Sequence, residues 1–446
     1  MKKRRSLRPV IGELILFALP IIAGHISHNL IGMGDMLVAS RYSTQALAAI
    51  GLANGIMNPV MVIGVGLLIG IAPLLSKKRG EGVPSQGYLY SGLAYALILS
   101  AIIQILVVLG TLTLDWWGFD RQLVPIIREY ILLFQWSIPG AMLFQAMKEI
   151  LQAREDVLAA NLIAILSVVV NITLNILLVF GSWGFPRLGI NGLAIASIVS
   201  RWIMALGLWV YFLYRYREGW QPQIKFYQKV FTLSLPISLA IFAEVSFFGV
   251  TTLLIGQIST LQVAAHNIVL IICSFTFMVP LAISNAVSVK IGYALGRKDL
   301  TSILLYQRSS LIISWIFMGL MAILFCFFHT PILRIFSEDP DLIQVAKMLL
   351  IIGAFFQILD GTQITMAGVL RGLGITRPVF ILILAVYWGF CLPLGYFMAD
   401  HLKLNAMGFW IGIAIGLGMV AAGLLMIFRN RFRRVSRMIS RYGADY

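Results

Sequence analysis

Long apolar stretches separated by short polar intervals fill nearly the whole chain. A membrane-spanning helix needs about 20 mostly apolar residues. The pattern predicts twelve such spans, at 12–38, 45–75, 87–113, 122–147, 157–181, 190–214, 230–256, 262–289, 302–328, 341–368, 377–399 and 406–428. Twelve crossings place both termini on one side. The expected fold class is therefore an all-α integral membrane protein.

Composition agrees with lipid as the solvent. The chain is 60% hydrophobic and 12% charged, with a mean hydropathy of +0.91, whereas a soluble protein carries about a quarter charged residues. Cys273, Cys326 and Cys391 all fall inside predicted spans without CxxC spacing, so they read as small core residues. The opening MKKRRSLRP is like the start of a signal peptide, but the apolar stretch after it is too long and lacks a small-residue cleavage site. An uncleaved first span is expected.

The formal charge of +16 raises a nucleic-acid partner, and the placement of the basic residues argues against it. Of the 34 Lys and Arg, 25 lie in the tails and alternate loops, which is the positive-inside pattern with cytoplasmic termini. The basic cluster near the end, RNRFRRVSR, reads as a topology anchor at an anionic lipid surface.

The chain is also a duplication. An offset of 216 residues pairs Leu19-Pro20 with Leu235-Pro236, Ser43-Thr44 with Ser259-Thr260, Ala48-Ala49 with Ala264-Ala265, Gly80 with Gly296, and Gly192 with Gly408. Six spans precede the second copy, so the repeats run parallel and predict two pseudo-symmetric six-helix lobes. The expected boundaries are a lobe at 1–214, a cytoplasmic linker at 215–229, a second lobe at 230–428 and a basic tail at 429–446. Pro20 and Pro236 weaken the first helix of each half, where they allow a bend; a static kink fits them equally.

Three carboxylates, Asp35, Glu244 and Asp360, lie deep in these spans. A carboxylate at mid-membrane costs roughly 2.5–3.5 kcal/mol on the insertion scale, so an ion or proton path is the default reading. His28 and Asp35 are two helical turns apart and share a face, and the repeat offset pairs His28 with Glu244. Asn171 and Asn175, four apart, share a face of the fifth span. Two amide oxygens and a carboxylate suit Na+, or a network around a protonated Asp. Gln357, Asp360 and Gln363 advance by three along the tenth span as a polar strip, and a second site is expected where Asp360 meets Glu244. The alternative is that a buried base neutralises each carboxylate, Arg201 being a candidate partner. His266 with Asn267, and His329, fit capping or interfacial positions. Phe248 and Phe356, with Phe242, Phe247 and Phe355, suit a pocket for flat lipophilic cations, and equally fit lipid-facing or core positions. No HExxH, GxxxxGK[ST] or GxSxG pattern points to ATP-driven transport or hydrolysis.

GxxD at Gly32 to Asp35 with ALAAIG at 46–51, LPI to Glu244 from Leu235, VAAHN at 263–267 and D-x6-AGVLRGLG from Asp360 to Gly374 together resemble the MATE (multidrug and toxic compound extrusion) family, in its NorM-like bacterial branch. The resemblance covers nearly the whole chain. It implies a monomeric secondary antiporter of the bacterial cytoplasmic membrane, without a cofactor, exporting lipophilic cationic drugs or dyes in exchange for Na+ or H+. Asp35, Asn171, Asn175 and, less strictly, Ser197 match the family's N-lobe cation site, and Glu244 and Asp360 its C-lobe carboxylates. Gln357 and Gln363 join Phe248 and Phe356 as pocket candidates, and VAAHN departs from the commoner AAHQ. The rival readings are a flippase for a lipid or lipid-linked saccharide, which needs more basic lining than Arg201 and Lys347 supply, and a channel or lipid-modifying enzyme.

Overall fold

The computed structural model describes residues 6–83, 87–216 and 223–442, with the side chains of all but His28, Ile224 and the stretch 434–442. Residues 217–222 of the expected linker, the end of the basic tail and the His28 side chain thus lie outside the described residues. Fifteen α-helices carry the described chain: α1 (Leu7–Tyr42), α2 (Thr44–Ile69), α3 (Ile71–Gly80), α4 (Tyr88–Leu112), α5 (Leu123–Phe134), α6 (Ser137–Ala153), α7 (Leu158–Phe180), α8 (Ile190–Arg215), α9 (Ile224–Ile258), α10 (Thr260–Gly296), α11 (Leu300–Arg334), α12 (Pro340–Gly372), α13 (Arg377–Val386), α14 (Leu392–Asp400) and α15 (Ala406–Tyr442). Among the described residues, eleven helical stretches are long and apolar enough to cross a membrane.

The fourth expected span, 122–147, is met by two shorter helices, α5 of 12 residues and α6 of 17. Pro139 explains the break, because it has no N–H for the Gln135 carbonyl four residues earlier. The Gln135 carbonyl accepts instead from the Ile138 N–H at 3.0 Å, and other helices add donors beside the break. Gln104 Nε2 donates to Gln135 O at 3.3 Å, and Trp202 Nε1 donates to Trp136 O at 3.0 Å. A second irregularity lies between α13 and α14, where Tyr387–Cys391 form a π-turn. Pro393, just beyond it, removes another in-helix donor, and the Leu392 N–H reaches back to Tyr387 O.

The duplication recurs in local structure. Ser43 caps α2 by accepting from the Ala46 N–H at 3.0 Å, and Ser259 caps α10 by accepting from the Gln262 N–H at 3.1 Å. Ser43→Ala and Ser259→Ala are each expected to cost about 1 kcal/mol, read as similar drops in the unfolding midpoint of the detergent-solubilised protein. Gly192 and Gly408 also play matching parts: a Cβ on Gly192 would lie 2.8 Å from the Leu178 carbonyl carbon, and one on Gly408 2.8 Å from that of Met398. Only a residue without a side chain lets α8 approach α7, and α15 approach α14, so closely.

The chain divides into two compact units. One comprises Ala23–Leu75 and Pro84–Ser238; the other comprises Met1–Ile22, Ser76–Val83 and Leu239–Tyr446. The divisions within α1 and α9 fall two residues after Pro20 and Pro236. In the first unit α8 packs along α7 and α6, and α6 also meets α4. In the second, α12 is central and contacts α10, α11 and α15. Within that unit Lys290 Nζ donates to Glu13 Oε1 at 2.6 Å, and the Tyr306 hydroxyl donates to the same oxygen at 3.0 Å. There too Gly80 and Gly296 face each other: a Cβ on either would lie 3.1 or 2.9 Å from the Cα of the other. The same Cβ atoms would overlap the Tyr293 and Lys77 carbonyl oxygens, themselves a pair at the repeat offset.

Candidate functional site

Two polar clusters hold the three deep carboxylates. In the first unit α1 brings Asp35, α7 brings Asn171 and Asn175, and α8 brings Ser197, and these four side chains meet in the interior. Asn175 Nδ2 donates to Asp35 Oδ1 at 2.6 Å and to Asn171 Oδ1 at 3.1 Å, and Ser197 Oγ reaches Asp35 Oδ2 at 3.5 Å. The four-residue spacing of the two asparagines puts both amides on one face of α7, where Asn175 reaches the carboxylate and Asn171 accepts from Asn175. Asn175 Oδ1 and Asn171 Nδ2 are left buried without a partner. An orphaned acceptor and donor beside a carboxylate form a place where a cation, a proton or water completes the hydrogen bonding.

Arg201 is half-buried near this cluster and within electrostatic reach of Asp35. Its guanidinium turns to other groups, donating to Ser137 Oγ at 2.9 Å and lying 4.7 Å from the centre of the Phe134 ring. Arg201 thus spans the break between α5 and α6. Tyr130 on α5, 1% exposed, also feels the charges of Asp35 and Arg201. Nothing in the residue pattern singles out Tyr130; only the folding of α5 against α8 and α2 brings it there.

The second cluster lies in the other unit. Glu244 on α9 accepts from Gln363 Nε2 on α12 at a long 3.4 Å, and the Tyr387 hydroxyl donates to Gln363 Oε1 at 2.6 Å. Asp360 on α12 lies in the electrostatic field of Glu244. Gln357 points elsewhere, donating to Thr276 Oγ1 at 2.9 Å while its own Oε1 stays buried and unpartnered. Of the aromatic pocket candidates, Phe356 is buried and stacked on Trp410 with ring centres 5.5 Å apart, while Phe248 is half-buried beside Phe247. Phe355 is 74% exposed.

The capping or interfacial position expected of His266 is corrected. Ser259 caps α10, and His266 lies seven residues inside the chain from it, fully buried. Trp410 Nε1 donates to its Nδ1 at 3.0 Å, which places the ring proton on Nε2, facing Thr252 Oγ1 at 3.0 Å. A partner 144 residues away in sequence gives no local signal. His329 contacts the neighbouring Thr330 hydroxyl at 2.8 Å.

Comparison with known proteins bears directly on these clusters. The MatE family model matches twice, over residues 20–177 and 236–397, its two starts coinciding with the paired prolines. The chain belongs to the MatE family. Among its relatives, the multidrug resistance protein NorM of Photobacterium profundum is 29% identical over 433 residues, covering 94% of each chain. The probable multidrug resistance protein NorM of Photorhabdus laumondii is 30% identical over 443 residues, covering 96% of this chain and 97% of its own. Among solved structures, the Vibrio cholerae MATE transporter VcmN in the bent form superposes with a TM-score of 0.86 at 20% identity, covering 96% of this chain and 98% of that one. A MOP superfamily transporter from Pyrococcus furiosus superposes with a TM-score of 0.82 at 19% identity, covering 97% of each. The chain is thus an all-α multi-pass membrane protein with the two-lobe MATE fold, and Asp35, Asn171 and Asn175 of the first cluster and Glu244, Asp360, Gln363 and Tyr387 of the second fall inside the matched segments, while Ser197 lies between them.

Proposed function

We propose that this MatE-family protein is a secondary active antiporter of the bacterial cytoplasmic membrane, exporting lipophilic organic cations in exchange for Na+ or H+. The observation that carries this reading is the Asp35, Asn171, Asn175 and Ser197 cluster, buried at membrane depth with two amide atoms unpartnered. A structural network in the interior satisfies all its members, because each orphan costs about 1–3 kcal/mol. A site that alternately takes up and releases a cation must leave such places open. The multidrug resistance names of the NorM relatives support the export of drugs. Glu244 and Asp360 serve as a second, like-charged site, where one cation eases the repulsion between two acids in low dielectric. The protein works as a monomer among membrane lipids, with Na+ or H+ as its only cofactor-like requirement. Pro20 and Pro236 supply the weak points at which the helices bearing Asp35 and Glu244 bend.

The test is dye efflux from membrane vesicles under an imposed Na+ or pH gradient alone. At least one gradient is expected to drive efflux, and none doing so rejects antiport. Asp360→Asn is expected to lower gradient-driven efflux on the order of tenfold or more, since it removes one of the two acids that hold the cation.

A further inference from the structure

Tyr387 is buried, and its hydroxyl makes one short contact, the 2.6 Å hydrogen bond donated to Gln363 Oε1. An amide has two unlike ends. With Oε1 engaged by the tyrosine, Nε2 is the end presented to Glu244, and a line of donors runs from Tyr387 through Gln363 to the carboxylate. The reverse orientation would set the Gln363 carbonyl against the Glu244 oxygens, where two acceptors repel unless a proton or cation lies between them.

The surroundings hold Tyr387 in place. Its ring stacks on Phe247 with centres 5.0 Å apart and planes at 16°. Its neighbour Trp388 donates from Nε1 to Ala243 O at 3.0 Å. The π-turn therefore contacts α9 at Ala243 and at Phe247, on both sides of Glu244. Single π-turns inside α-helices recur at functional positions because they re-aim a side chain that a regular helix would point elsewhere.

We propose that Tyr387 is a positioning residue for Glu244: by donating to Gln363 Oε1 it holds the amide NH2 toward the carboxylate and so limits how tightly the site keeps its coupling cation. This rests on the antiport reading above. A carboxylate that loses an N–H donor attracts a cation more strongly, and an amide released from the tyrosine can turn its carbonyl inward as a further ligand. Both changes act in the same direction, toward tighter holding and slower release.

The experiment titrates the thermal unfolding midpoint of the purified protein with Na+ at fixed pH, and with pH at low Na+. For Tyr387→Phe the cation concentration giving the half-maximal shift is expected to fall on the order of tenfold, the effect of one hydrogen bond to a charged group. Gln363→Met deletes the amide donor and leaves the aromatic stack, so it should shift the half-maximal concentration in the same direction even if Tyr387→Phe folds poorly. Ser259→Ala removes the cap of α10, away from this hydrogen-bond line, and should lower the midpoint while leaving that concentration at the wild-type value. A tyrosine with only a packing role would lower the cation-free midpoint without moving the half-maximal concentration. The proposal is overturned by an unmoved value in Tyr387→Phe or Gln363→Met, by an equal shift in Ser259→Ala, or by a wild-type titration flat in both ions. The titration reads cation binding without transport, so a wild type that binds cations yet moves no dye rejects antiport while Tyr387 is still decided.

Discussion

Asp35→Asn is expected to abolish gradient-driven dye efflux while leaving the protein in the membrane at close to wild-type amounts. The substitution keeps the shape of the side chain and an oxygen to accept from Asn175 Nδ2, whose bond to Asp35 Oδ1 is 2.6 Å. It removes the negative charge and the ability to gain or lose a proton. If Asp35 served as the fixed partner of a buried base, its neutralisation would strand that base at a cost of about 3–5 kcal/mol, and expression would collapse. Arg201 instead has its own support from Ser137 Oγ and the Phe134 ring. Folding is therefore expected to survive and coupling to be lost. Quantitative blotting of membranes beside vesicle efflux separates the outcomes: absent protein would make Asp35 structural, and full protein with undiminished efflux would remove it from the transport cycle.

Gly80→Val and Gly296→Val should each cost on the order of 3 kcal/mol or more, because overpacking against backbone exceeds the usual penalty of a crowded core. The obstructing atoms are the Tyr293 and Lys77 carbonyl oxygens and the facing glycine Cα, none of which can rotate aside. Gly12→Ala provides the contrast, since a Cβ there meets nothing within 4 Å. Its added helix propensity should leave stability equal or slightly raised. Unfolding midpoints and monodispersity after detergent extraction are the measurements. Valine tolerated at both facing glycines would mean that the close approach of the two backbones is dispensable.

Much of the fold and of the first cluster was legible because it is written in spacing and depth. The apolar runs correspond to helices, Ser43 and Ser259, paired by the repeat offset, cap matching helices, and Asn171 shares with Asn175 the face from which Asn175 meets Asp35. What escaped depends on partners far away in sequence. At the division of the fourth span into α5 and α6, Gln104 and Trp202 add donors to the Gln135 and Trp136 carbonyls. The polar strip on α12 shows the limit of a periodicity argument. Steps of three residues drift around the helix, so positions 357 and 363 differ by about 120°. Gln357 consequently meets Thr276, whereas Gln363 meets Glu244 and Tyr387. Tyr387 itself had no sequence signal beyond Pro393, whose disturbance of the helix becomes a π-turn only in three dimensions.

The facing glycines also bear on how a duplicated chain can diverge. At many other positions the two halves have drifted, to the point that His28 stands opposite Glu244 in the repeat and Leu74 opposite the ion-paired Lys290. At Gly80 and Gly296 each copy occupies the space that a side chain on the other would need. Neither position can vary alone, and a joint change to larger residues only doubles the obstruction. Two sites from separate repeats are thus inherited as though they were one, and substitution data from related chains should show them fixed together.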